Sequence, residues 1–328
     1  MPSLYSFGGI FLVGLMLFIF IFWKYYWKAQ LLFNRSSMSL YTPSSFQISS
    51  GTEHEIDMRE IAGASHAKNS RVVIISMLRD AEKRMPLIKQ KVEAIGNLFR
   101  KYHVLIVEND STDKTRDLLL QWTKQNPSIT ILGCGHNAAT CKLSFEKTEG
   151  HGVDRNRIEK MTKLRNIYLE ELKKNYSDCD YAIIADFDII GTTYLDGIAN
   201  TMSHFEEDVN LSAICAYGIY EWAFMNIYYD TYAHQDVGEG DFHIDLKTAH
   251  DIRKGLSIKH SRGEPLVDVK SCFSGFTIYR VAALLPANVK YDMSSEENLE
   301  CEHSRMHKYI KGRIAMNPSM INLVLRNE

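Results

Sequence analysis

From Phe7 to Trp23 the chain reads FGGIFLVGLMLFIFIFW, an apolar run without a charged residue. About 20 such residues span a bilayer. Trp23, Tyr25, Tyr26 and Trp27, with Lys24 and Lys28 among them, have the aromatic and cationic character of a membrane interface. The run predicts an uncleaved transmembrane anchor over residues 7–23, behind a short tail (1–6). No basic segment precedes it and no small-x-small cleavage site follows, which argues against a signal peptide. Residues 24–70 contain Ser/Thr-rich stretches such as SSMSLYTPSS and hold no sustained period, so a stem or linker is expected there.

From Arg71 onward the pattern becomes regular. VVIIS (72–76), VLIVE (104–108), ITIL (129–132) and YAIIA (181–185) are short, apolar, β-branched runs and predict buried strands. Between them, Met85, Ile88, Val92, Ile95, Leu98 and Phe99 recur at helical spacing, as do Leu118, Leu119 and Trp122. Ile158, Met161, Leu164, Ile167, Tyr168 and Leu172 mark a third helix face. Strands alternating with helices predict βαβ units and an α/β domain with a mostly parallel sheet over 71–328. Ligands of such sheets bind beyond the carboxyl ends of the strands, so the strand exits are where chemistry is sought.

Composition narrows the classes. With 45% apolar and 24% charged residues, the 328-residue chain can bury a sizeable core. Its formal net charge of -2 argues against bulk phosphate neutralisation, and no nucleic-acid partner is expected. Six cysteines without a Cys-x-x-Cys exclude a disulfide scaffold and a structural zinc site. Each is expected as a small buried apolar residue. No Gly-x-Gly-x-x-Gly follows a strand and no Walker-type Gly-Lys-Ser/Thr is present, which removes dinucleotide and P-loop readings.

The strongest chemical signal is Asp186-Phe187-Asp188, directly after YAIIA. In extended backbone both carboxylates point to one side and Phe187 to the other. Such oxygens suit Mg²⁺ or Mn²⁺, so Asp186 and Asp188 are candidate metal ligands. Glu108, Asn109, Asp110, Ser111 and Asp113 follow the second strand and are candidates for holding the base and ribose of a nucleotide. Asp110 or Ser111 also suits the cap of the next helix, with Asp113 in its first turn. Arg157 and Arg165 precede the fourth strand, and their guanidinium forks match phosphate oxygens. Lys160 and Lys163 beside them read as a solvated cationic face. Near residue 300, Glu302 is a candidate base and His303 a candidate third metal ligand.

The order and content of these motifs resemble a GT-A glycosyltransferase, a Rossmann-like nucleotide-diphospho-sugar transferase fold. More narrowly they resemble the fungal capsule-associated mannosyltransferase group (CAP59-like, glycosyltransferase family 69). The stretches that carry the likeness are VENDSTDKTRDLL, RIEKMTKLRN, DYAIIADFDI, NIYYDTYAHQD and VKSCFSGFTIYR, from about Arg71 to His307. The resemblance implies that Asp186 and Asp188 bind metal and nucleotide sugar, that the Glu108 loop takes the nucleotide and that Arg165 serves the diphosphate. It places Tyr228–Thr231 and Asp236 where acceptor or donor sugar lies. It also implies α-mannosyl transfer with retention from GDP-mannose, a UDP-sugar being the other donor weighed, to a glycan or glycoconjugate acceptor, with Mn²⁺ or Mg²⁺ as cofactor. If the enzyme inverts instead, Glu302 is the expected base.

The resemblance favours a Golgi or ER membrane. Two features favour a cytosol-facing body instead. Lys24, Lys28 and Arg35 all follow the apolar run. Of the sequons at Asn34, Asn109, Asn175 and Asn210, the second falls in the nucleotide loop, where a glycan is awkward. Two rival readings use the same residues: a metal-dependent phosphotransferase or phosphatase built on the Asp pair, and an inert membrane-anchored nucleotide-binding module.

Overall fold

The computed structural model describes residues 39–44, 46–133, 155–222, 225–238, 260–293 and 300–325, together with Met16, Leu17 and Phe20. The chain divides into two units, Met1–Ser39 and Leu40–Glu328. In the first, Met16, Leu17 and Phe20 are helical and exposed. The rest of the predicted anchor lies outside the described residues. Among the described residues no helix is long and apolar enough to cross a membrane.

The larger unit is mixed α/β. Its first half follows the predicted alternation. Strands β1 (Arg71–Leu78), β2 (Lys101–Glu108), β3 (Ile129–Gly133) and β4 (Tyr181–Ala185) pair in parallel in the order β3-β2-β1-β4. Their connections include a one-turn helix (Glu82–Arg84) and the helices α2 (Met85–Gly96), α3 (Thr115–Gln125) and α4 (Arg155–Asn175). Alternate residues of β1 face opposite layers, as the pleat requires. Val73 and Ile75 join a core with Leu164 and Tyr168, while Val72 and Ile74 join one with Ile88, Val92 and Trp122.

The second half departs from the mostly parallel sheet. Among the described residues it holds β5 (Gly191–Thr193), β6 (Leu211–Trp222), β7 (Met225–Tyr229), β8 (Gln235–Asp236), β9 (Val267–Ser271), β10 (Phe276–Arg280) and β11 (Arg313–Val324). The sheet continues β4-β10-β6-β11-β9-β8, with β10 antiparallel to both β4 and β6 and β11 parallel to β6. Antiparallel neighbours need no crossover helix, so the helix–strand alternation that betrays a parallel sheet is missing there.

The expected stem is partly folded structure. Helix α1 (Glu53–Asn69) packs on α5 (Leu195–Glu207), and a Cβ at Gly63 would lie 1.7 Å from the Ala199 carbonyl oxygen. Ahead of it, the Leu40 carbonyl accepts the Leu195 N–H, and Asp196 accepts from the Thr42 N–H and hydroxyl. The buried face of α1 is Ile56, Gly63 and Ala67. Small residues bring two helices close without an apolar stripe, which is why no helical period shows in the sequence. The folded unit therefore begins near Leu40 and not at Arg71.

One cysteine pair also departs from expectation: Cys215 and Cys272 are joined as a disulfide, whereas Cys179 and Cys301 are buried free thiols.

Candidate active site at the exit of the fourth strand

Strand β4 ends at Ala185, and the chain leaves the sheet as Asp186-Phe187-Asp188. Phe187 is buried in the core while both aspartates are half-buried, but the backbone here is a turn, closed by the Ile189 N–H donating to the Asp186 carbonyl at 3.1 Å, and not the extended segment expected. The Asp186 N–H donates to the Gly275 carbonyl at 3.0 Å. Gly275 has φ +73, and a Cβ there would meet Asn322 Nδ2 and Ile189 Cδ1, each at 2.8 Å. This segment therefore approaches the aspartates only as glycine.

Two cations hold the turn from behind. Arg84 donates to the Asp188 carbonyl, and Lys91 of α2 donates to the Gly191 carbonyl. Burial lowers the Lys91 ammonium to about 8, against the pull of Asp188. A lysine at a core-facing position of an amphipathic helix, between Ile88 and Val92, was the available signal, and pattern reading passed over it.

The carboxylates themselves are crowded. Burial raises Asp186 to about 7, with Asp188, Glu302 and Asp230 adding repulsion and Arg165 opposing it. Asp188 is raised by burial as well, against Arg84 and Arg165. An excess of buried carboxylate over cation is the donor chemistry that a hard divalent ion fits. Asp186 and Asp188 are the residues placed to hold one. His303 is not gathered with them: among the described residues no three His, Cys, Asp or Glu groups come together as a ligand set.

His303 lies instead in helix α7 (Glu302–His307), the next after the one-turn helix α6 (Val281–Leu284), stacked on Phe273 at 3.7 Å between ring centroids and edge-on to Tyr291 at 5.5 Å. Burial, then Arg165 and His307, lowers its imidazole well below the usual range and keeps it neutral. Neither ring nitrogen has a hydrogen-bond partner among the described residues. Its packing partners are thus the aromatic rings of Phe273 and Tyr291.

Arg165 also departs from its expected place on the diphosphate. It is 3% exposed, and its Nε donates to Glu302 at 2.9 Å while Nη2 lies 3.7 Å from Asp186. Its guanidinium carbon lies 5.3 Å from the Phe273 ring centre. Arg165 thus bridges the aspartate turn to α7, and the expected base Glu302 is a buried partner of that bridge. Arg157 is half-buried on the same helix; burial pushes the Tyr232 phenol up, and the Arg157 charge opposes this. Lys160, expected on a solvated face, is buried and donates to Asp110 at 2.8 Å.

The loop after β2 is strongly built. Glu108 is buried, accepting from Arg116 at 2.6 Å and from the Ser111 N–H at 3.1 Å. Asn109 is 3% exposed. Asp110, at φ 52, faces Lys160 and, at 3.4 Å, Arg79. Helix α3 begins at Thr115, and Asp113, not Asp110 or Ser111, accepts its first N–H at 2.9 Å. Across from the loop, at the exit of β1, Asp80 accepts the Thr112 N–H at 2.7 Å. Asp80 was a further residue that the motif reading missed.

Asp236 lies on β8 with its side chain 57% exposed and accepts from His234 Nε2 at 2.9 Å. The carboxylate sets the tautomer, so His234 Nδ1 accepts from the Tyr228 hydroxyl at 3.0 Å. Asp230, between these two, is the carboxylate of this segment whose charge reaches Asp186. The family resemblance implied the Tyr228–Thr231 stretch without singling Asp230 out.

Comparison with known proteins agrees with the motif order. The family described as cryptococcal mannosyltransferase 1 matches residues 71–308. No curated protein matches the chain. Among solved structures, TarS of S. aureus with UDP-GlcNAc is similar at 13% identity and TM-score 0.45, covering 79% of this chain and 59% of that one. The mannosyltransferase PcManGT from Pyrobaculum calidifontis, solved with GDP-Man and Mn²⁺, is similar at 13% identity and TM-score 0.41, covering 83% of this chain and 66% of that one. The chain spans about three fifths of the length of the TarS 1-349 structures it matches and 37% of the longer TarS structure. By the family match, which covers most of its length, the chain belongs to the cryptococcal mannosyltransferase 1 family.

Proposed function

We propose that the chain is a metal-dependent glycosyltransferase, membrane-anchored through residues 7–23, that moves a sugar from a nucleotide sugar to the hydroxyl of a glycan or glycoconjugate. GDP-mannose is the favoured donor, a reading supported by the family's description as a mannosyltransferase. The observation that carries the proposal is the carboxylate excess at the exit of β4, where Asp186 is pushed up to about 7 by burial and by its acidic neighbours. A divalent ion held by Asp186 and Asp188 would neutralise charge on the departing nucleoside diphosphate.

The chain's own residues do the rest. Arg84 and Lys91 keep the Asp188 turn in place, and Arg165 orients Asp186. The Glu108–Asp113 loop, braced by Arg116 and Lys160, holds base and ribose. Arg157, expected with Arg165 on the diphosphate, keeps that role, whereas Arg165 is engaged with Glu302. For the same reason Asp230, and not Glu302, takes the proton of the acceptor hydroxyl in an inverting reaction.

The test is Asp188→Asn in the full chain, assayed with Mn²⁺ against GDP-mannose and UDP-sugars. The change keeps shape and removes one anionic ligand. Transfer is expected to fall by two or more orders of magnitude, about 2.7 kcal/mol of barrier, with thermal stability unchanged or raised. Near-normal turnover with an unchanged metal requirement would sink the metal-site assignment.

A further inference from the structure

Cys215 lies within β6, level with Thr277 of β10 on one side and Met316 of β11 on the other. Cys272 follows β9 and directly precedes Phe273. Both are fully buried, and their Cα atoms are 6.1 Å apart. A disulfide spans that separation without moving backbone.

The residues after Cys272 line the candidate site. Phe273 stacks on His303 and lies against Arg165. The Ser274 carbonyl accepts from Asn322 at 2.6 Å, and the Gly275 carbonyl accepts from Asp186. The bond therefore ties the start of this three-residue floor to a strand inside the sheet. It also closes the segment that carries Asp230 and Asp236, since its cysteines are 57 positions apart.

We propose that Cys215–Cys272 is a maturation site: a cross-link made in an oxidising compartment that seats residues 273–275 beneath Asp186, so that the donor-binding form of this domain arises where thiols are oxidised. The functional half rests on the reading of Asp186 and Asp188 as the donor's metal site; the cross-link does not. Two thiols lose two protons and two electrons as the S–S bond forms. A dithiol–disulfide oxidoreductase in its disulfide form takes the electrons by exchange, and its own S–S bond opens to two thiols. Such bonds persist in secretory compartments and are rare in the cytosol. The inference thus opposes the orientation suggested by Lys24, Lys28 and Arg35.

The full chain is expressed in a eukaryotic host, recovered from secretory membranes without reductant, denatured and labelled with one alkylating agent. It is then reduced and labelled with a second. Mass spectrometry is expected to find only the second label on Cys215 and Cys272, and the first on Cys179 and Cys301. First label on both Cys215 and Cys272 overturns the proposal. For the functional half, Mn²⁺-dependent GDP-mannose binding is compared between the native chain, the chain after reduction, and Cys215→Ala/Cys272→Ala, with Cys179→Ala as control. At least tenfold weaker binding is expected for the reduced or doubly substituted chain. Equal binding by either of them overturns that half. A cross-linked native chain that binds no nucleotide sugar counts against the proposed function and leaves the cross-link standing. Should the double variant fail to fold, the labelling and the reduced native chain still decide.

Discussion

Arg165 carries a buried charge that two acids share, and that arrangement predicts its own failure. Replacing Arg165 by Met leaves Glu302 and Asp186 without their cation in the interior. Breaking such a pair from one side costs about 3–5 kcal/mol. Urea melts should show a loss of that size, and adding Glu302→Leu should recover much of it; additive losses would mean the pair is not coupled. Asp186 predicts a pH response. Its carboxyl is raised from 3.8 to about 7, chiefly by burial, so the metal-free fold holds a proton that the unfolded chain has already released. The stability contributed is full below about 4 and is lost as pH rises toward 7. Mn²⁺ needs the carboxylate, so its affinity should climb through the same window, which titration calorimetry at pH 5.5, 6.5 and 7.5 would show. A flat profile would remove Asp186 from the metal. At this scale the sequence revealed residue types better than their partners. Asp186 and Asp188 were legible because a buried apolar strand ends directly before them. Arg165 and Glu302 were not paired in advance, because an ion pair joining residues 137 positions apart leaves no local spacing to read.

Helix α1 shows the same lesson between elements. Its contact with α5 runs through Gly63 against the Ala199 carbonyl, a face too small to register as an apolar period. Gly63→Leu is expected to force the helices apart and lower stability by about 1–3 kcal/mol. A melting temperature equal to that of the unmodified chain would show the contact to be loose. The four parallel strands were legible because buried parallel strands are continuous apolar runs. FTIYR, which becomes β10, is short and mixed in character, and only its antiparallel place between β4 and β6 explains it.

For the molecule as a whole, the boundary at Leu40 makes truncation informative. A chain starting near Leu40 should unfold cooperatively, whereas one starting at Arg71 loses α1 and should be less stable or insoluble. The sequons separate likewise. Asn175 and Asn210 are exposed, whereas Asn109 is 3% exposed, so the buried site does not argue against a glycan-bearing compartment. In secretory membranes Asn175→Gln and Asn210→Gln should each remove a glycosidase-sensitive mass, and Asn109→Gln should not. The antiparallel insertion of β10 has a kinetic consequence. Tyr181 and Arg280 meet across 99 positions, and Cys215 and Ala315 across 100. Such contacts must overcome the entropy of closing long loops before they stabilise anything, which makes folding slow. The β1–β2 and β2–β3 pairings join residues much nearer in sequence and can form first, leaving a partly folded chain in which Asp186 has no Gly275 carbonyl to meet. Pulse-labelled hydrogen exchange should find the amides of β1 and β2 protected early in refolding and the Asp186 amide among the last.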